Sequence, residues 1–127
     1  MKKELRLKVY KKYDGHCAYC GKEIKYKDMQ VDHLTPKAYA HWYKSEVVKR
    51  SEGLLGNSVD DFENLMPSCR RCNHYKRASL IEGFRKQMQS LPERLKKQYI
   101  NKVALDYGII TIHPFNKFYF ELNLRSN

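Results

Sequence analysis

Apolar residues divide this chain into short segments, most of them with a helical period. Over residues 2–13, Leu5, Val9 and Tyr13 fall four apart with lysines on the other face, which predicts an amphipathic helix ended by Asp14-Gly15. Met29, Val31 and His33 alternate, so residues 29–34 read as a short strand that Pro36 ends. Tyr39, Trp42, Tyr43, Val47 and Val48 predict a helix within residues 38–53, broken by Gly53, Gly56 and Asn57. Residues 57–61 read as a turn or a capped short helix. Leu65-Met66-Pro67 is a second short strand, and a helix starts near Cys72 and carries Asn73, Tyr75 and Lys76.

Residues 79–89 read as a further helix. Ser90-Leu91-Pro92-Glu93 matches a capping box, which predicts another helix reaching about Tyr107 and closed by Gly108. Its Leu95, Tyr99, Val103 and Tyr107 are spaced by four and are expected in the core. Residues 109–112 and 118–122 are β-rich, with residues 113–117 between them, and read as a hairpin or a pair of edge strands. Phe118-Tyr119-Phe120 is expected as a buried strand. The fold class is α+β, in one domain over residues 1–127, with a core at about 5–85 and an extension at about 86–127.

Bulk properties narrow the function. A chain of 127 residues that is 42% hydrophobic supports a modest core, to which an extra staple would add stability. Its aromatic content excludes compositional disorder. No apolar run approaches the roughly 18 to 20 residues of a membrane helix. The charged start, Met1-Lys2-Lys3-Glu4-Leu5, lacks an apolar leader segment, so a soluble cytoplasmic protein is expected. Lys and Arg number 25 against 14 Asp and Glu, a formal charge of +11 that points to a polyanionic partner. Charge alone speaks to solubility and non-specific binding and names no activity.

The four cysteines form two pairs, Cys17-Ala-Tyr-Cys20 and Cys69-Arg-Arg-Cys72. Two disulfides or a redox dithiol are the alternatives to a metal. A cytosolic chain seldom keeps structural disulfides, a redox motif wants one pair at a βα junction, and Zn²⁺ favours four thiolates in a tetrahedron. The expected site is structural zinc, with Gly21 after Cys20 suiting a tight knuckle.

Around these pairs lie residues suited to phosphodiester chemistry. Activating a water needs a base with a pKa near working pH, which histidine supplies. Charge on the phosphate and leaving oxygen needs a cation such as Mg²⁺, which takes few protein oxygens; a carboxylate and an amide suffice. Asp32 and His33 adjoin between the cysteine pairs, Asn64 precedes the second pair, and Asn73-His74 follows it at once. In a regular strand Asp32 and His33 point to opposite faces, although a twisted strand end still lets them flank one groove. Asn73 is one residue from Cys72 and so would be placed by the staple. His16, His41 and His113 read as structural or surface residues.

The order Cys-x-x-Cys, Asp-His, Asn-Leu, Cys-x-x-Cys-Asn and then Lys76 resembles the HNH endonuclease family, in its four-cysteine zinc subgroup, over roughly residues 5 to 85. That resemblance implies a ββα-metal core with flanking helices. It implies that His33 is the general base, that Asp32 and Asn73 hold a catalytic Mg²⁺ or Mn²⁺, and that Asn64 braces the hairpin loop through backbone hydrogen bonds. Cys17, Cys20, Cys69 and Cys72 would hold the zinc, and the products would carry 5′-phosphate and 3′-hydroxyl ends. Arg70, Arg71, Lys76 and Arg77 are expected on phosphate. The partner implied is DNA, double-stranded, branched or single-stranded, with no membrane and with the protein a monomer or homodimer of bacterial or phage origin. Two features depart from the family pattern. Asn73 stands where many members have histidine, which makes His74 a rival ligand, and residues 36–62 exceed the usual loop. A non-catalytic zinc-finger binder and an RNA-cleaving, toxin-like nuclease are the competing readings.

Overall fold

Helix α1 (Lys3–Lys11) buries Val9 completely and places Lys8 and Lys11 in its last turn, where they oppose the helix dipole. Two of its cations are spent on the fold. The Arg6 guanidinium donates to the carbonyls of Tyr26 and Met29, both at 2.8 Å. Just past the helix, the Lys12 ammonium donates to the carbonyls of Phe62, Glu63 and Leu65 at 3.0, 3.1 and 2.8 Å. The segments that lead into both strands are therefore tied to one helix. The computed structural model describes residues 1–122.

Strands β1 (Gln30–His33) and β2 (Leu65–Ser68) pair antiparallel, with Gln30 opposite Ser68, Val31 opposite Pro67, Asp32 opposite Met66 and His33 opposite Leu65. The Leu34 N–H continues the pairing to the Asn64 carbonyl at 2.8 Å. Pro67 has no N–H to give, which a two-stranded sheet tolerates, and its carbonyl accepts the Ala18 N–H at 2.8 Å. The knuckle of the first cysteine pair is thereby fastened to β2. Helix α3 (Arg70–Lys76) follows after a single residue and packs on β1.

The helix expected within residues 38–53 is two pieces. A 3₁₀ segment (Lys37–Lys44), kinked at Tyr39, is separated from α2 (Glu46–Ser51) by Ser45. Ser45 is extended and its Oγ accepts the Val48 N–H at 3.2 Å. The preference of serine for a cap wins over the continuous apolar period.

The described chain forms two compact units, Met1–Leu80 with the segment that starts at Phe118, and Ile81–Lys117. The second unit contains α4 (Ile81–Lys96) and α5 (Tyr99–Asp106). Three expectations fail in this part of the chain. Pro92 lies inside α4 and opens no new helix. Its fixed φ is helical, and the local bonds of Ser90 and Arg94 to the Gln87 carbonyl stitch the turn it weakens. The stripe of Leu95, Tyr99, Val103 and Tyr107 is not a core face, since Tyr99 and Tyr107 are 80% exposed. Extended backbone at Gln98 resets the helical phase between α4 and α5.

The C-terminal hairpin is absent too. Residues 109–118 have no regular structure and a 3₁₀ turn occupies Tyr119–Glu121. Their backbone partners come from elsewhere. The N–H groups of Ile109 and Ile110 cap α5 at the Ala104 carbonyl. Those of Tyr119 and Phe120 go to the carbonyls of Tyr19 and Ala18 at 3.0 and 2.7 Å, while the Phe118 side chain is buried. The protein is thus mixed α and β, with one two-stranded sheet among the described residues. No helix there is long and apolar enough to cross a membrane.

Candidate functional site

The two cysteine pairs converge. One ligand atom from each of Cys17, Cys20, Cys69 and Cys72 lies within 4.8 Å of the others, and all four thiols are free. A Zn²⁺ with bonds of about 2.3 Å sets its sulfurs roughly 3.8 Å apart. The Cys20 and Cys69 sulfurs are 3.9 Å apart, far beyond a disulfide. Backbone N–H groups already point at sulfur, from Cys69 to Cys17 and from Cys72 to Cys69, both at 3.3 Å. The cluster fits a zinc ion.

Hydrogen bonds from Cys20 and then Cys72 hold the Cys17 thiol well below its usual value. The bond to Cys17 pushes Cys20 up to about 11, and the bonds to Cys17 and Cys20 push Cys72 further up. Without a cation the first negative charge opposes the next, and only a metal lets all the sulfurs be thiolates together.

Beside this staple lies a polar group built on β1 and α3. Asp32 is buried, and its Oδ2 accepts the Tyr19 hydroxyl at 2.5 Å and meets the Lys76 ammonium at 3.0 Å. Burial and then the negative charge of Asp32 raise the Tyr19 pKa well above its normal value, so this phenol stays a donor. Lys76 is fully buried and also donates to the His33 carbonyl at 3.2 Å. On the same face, the Asn73 amide nitrogen donates to the Gln30 side chain at 2.5 Å. That bond fixes the orientation of the Asn73 amide, and its oxygen is the end suited to a cation. A carboxylate and an amide oxygen are a donor set that fits Mg²⁺ or Mn²⁺.

The His33 ring turns away from this face. Its Nε2 lies 2.9 Å from the Asp60 carboxylate, which is largely exposed. Asn64 has no exposed surface. It accepts the Thr35 N–H at 2.9 Å and donates to the carbonyls of Thr35 and Val59 at 3.0 and 2.8 Å. One side chain thus fastens the end of β1 to the loop that carries Asp60.

Asp32, Asn73 and Lys76 are therefore brought to the β1–α3 junction, with the His33 ring turned to Asp60 and Asn64 bonded to the loop that carries it. Arg70, Arg71 and Arg77 are exposed, and Lys76, expected on phosphate, is beneath the surface. His74, the rival ligand, is exposed. Sequence reasoning missed Tyr19, Gln30 and Asp60, whose only sequence signals were an aromatic inside a knuckle, a strand-start amide and a carboxylate in a turn. No known protein family, curated protein or solved structure matches this chain.

Proposed function

We propose that this protein is a metal-dependent DNA endonuclease of the HNH type, with a ββα-metal core, a structural zinc at the four cysteines and a catalytic site at Asp32, His33 and Asn73. What supports this reading is that Asp32, through its ion pair with Lys76, and Asn73, through its bond to Gln30, each join β1 to α3, with His33 next to Asp32 on β1. The motif order along the chain and the charge of +11 support it.

The chain's own groups then take these roles. An ionised carboxylate only accepts hydrogen bonds, so the 2.9 Å contact to Asp60 puts the His33 proton on Nε2. Nδ1 is left with the lone pair, and there His33 takes a proton from the attacking water. The resulting imidazolium is stabilised by Asp60. Lys76 and Tyr19 hold the Asp32 carboxylate in place, and Gln30 holds the Asn73 amide. Asp32 and Asn73 would hold a Mg²⁺ or Mn²⁺, which when bound would supply charge neutralisation for phosphodiester cleavage.

The test is conversion of supercoiled plasmid to nicked circle by the zinc-loaded protein, with Mg²⁺, with Mn²⁺ and with neither. Metal-dependent nicking that His33→Ala and Asn73→Ala lose, with DNA binding retained, is the expected result. Binding with no cutting in either metal would replace this reading with a non-catalytic binder. Faster cutting of RNA than of DNA of equal length would move the activity to RNA.

A further inference from the structure

Two open clefts meet on the side of the molecule that carries the zinc knuckle and the first turn of α3. One, of about 620 Å³, is lined by Lys22, Lys25, Lys27, Gln30 and Arg70, with Glu23 and Asp28 also on its wall. The other, of about 460 Å³, is lined by Lys22, Arg70, Arg71 and His74. Lys22 and Arg70 line both, so the clefts adjoin. The first reaches Gln30, whose side chain holds Asn73.

What sets the cations here apart is their clustering on one surface, since several cations elsewhere are already engaged. Lys49, Arg85 and Lys96 pair with carboxylates on their own helices, and Arg6, Lys12 and Lys76 are spent on carbonyls or on Asp32. Among the described residues, Lys22, Lys25, Lys27, Arg70 and Arg71 make no ion pair. A zinc tetrathiolate of charge 2− together with Glu23 and Asp28 on the wall gives four negative charges, one fewer than these five cations. Arg70 and His74 lie on the flank of α3 beside the Asn73 face, with Arg71 further round on the same side, all within one turn of it.

We propose that the two clefts form one track for consecutive phosphates of a bound DNA strand, leading away from the Asp32–Asn73 face with Lys22 and Arg70 at its middle. The inference rests on the nuclease reading for what the track feeds, but not for what it binds. Arg70 and Arg71 give paired donors to phosphate oxygens, and Lys22 gives a mobile point charge. His74 supplies a ring N–H.

Binding is measured apart from cutting. A fluorescent duplex of about 25 base pairs is titrated with the zinc-loaded His33→Ala protein while salt is raised from about 50 to 200 mM. Each phosphate contact removed lowers the slope of log affinity on log salt by about 0.9. Lys22→Gln with Arg70→Gln is expected to lower it by about 1.8. Lys3→Gln with Lys11→Gln, which removes the same charge elsewhere, is expected to keep the parent slope.

Equal slopes in the two double variants, or a parent that does not bind the duplex, overturn the track. So does a cleft variant that sheds zinc with its slope unchanged, since those cations would then serve the thiolates. Arg71→Gln reads the second cleft alone, with an expected loss of about 0.9, and covers misfolding of a variant nearer the knuckle. Plasmid nicking by the wild type is scored separately. Binding that follows the clefts without nicking keeps the track and ends the nuclease reading, and nicking with unaltered slopes does the reverse.

Discussion

At the scale of single residues, the site rests on buried polar groups that each have several partners. Asn64→Ala would leave the Thr35 N–H and the carbonyls of Thr35 and Val59 without their bonds in a site closed to water. Each such group costs about 1–3 kcal/mol, so a loss of about 3 kcal/mol or more is expected in urea unfolding. Lys76→Met tests the buried pair. Removing one partner of such a pair typically costs about 3–5 kcal/mol, and Asp32 would keep only Tyr19. Adding Asp32→Leu to it should recover part of that loss, because the unpaired carboxylate, more than the lost attraction, carries the penalty. Asp60 is largely exposed, so Asp60→Asn is expected to leave the melting temperature unchanged. It should lower kcat of nicking by about tenfold or more with KM held, as for a group that orients a ligand or base, and Asp60→Glu should restore part of it. A fall in stability without a kcat effect would make Asp60 a loop residue only.

At the scale of elements, the cysteine knuckle, both strands and α3 were legible because short-range signals agree there. The paired Cys-x-x-Cys spacing, the alternation at Met29, Val31 and His33, and the strand-like Leu65-Met66-Pro67 all point the same way. The partners of the site residues were not legible, because the fold brings them from afar. Asp60 is 27 positions from His33, and Gln30 is 43 from Asn73. Nor was the C-terminal turn, because a β-rich run shows an affinity for extended backbone without saying what it will meet. It meets the knuckle, where Gly21 has φ +82° and an added Cβ would fall 2.5 Å from the Tyr119 ring. Gly21→Ala should therefore destabilise by about 1 kcal/mol for the backbone conformation plus the cost of displacing the ring. In a Tyr119→Ala background only the backbone part should remain. An equal cost in both backgrounds would mean that the segment at Tyr119 does not brace the knuckle in solution.

At the scale of the whole molecule, the cysteine cluster joins parts of the chain about fifty positions apart, so metal, folding and pH are coupled. The sign differs between the two forms. In the zinc-bound protein the thiolates are held ionised, their folded pKa lies below the unfolded value, and the stability they confer is present at neutral pH and lost on acidification. In the metal-free protein Cys20 is pushed up to about 11 and Cys72 is raised as well. Their contribution is then fully present below the ordinary thiol range and is lost as pH rises toward and past about 11. Zinc must also displace at least those two protons near neutrality, so its apparent affinity should fall by about a hundredfold for each pH unit lost. Cys17, held well below its usual value, works the other way and loses its contribution toward acid, so melting curves with zinc and after chelation should part most toward strong alkali. The zinc form should lose melting temperature toward acid, and the chelated form should start lower and lose more toward alkali. Curves that coincide at neutral pH would show that the four thiols do not hold the metal on which the fold of the catalytic face is proposed to depend.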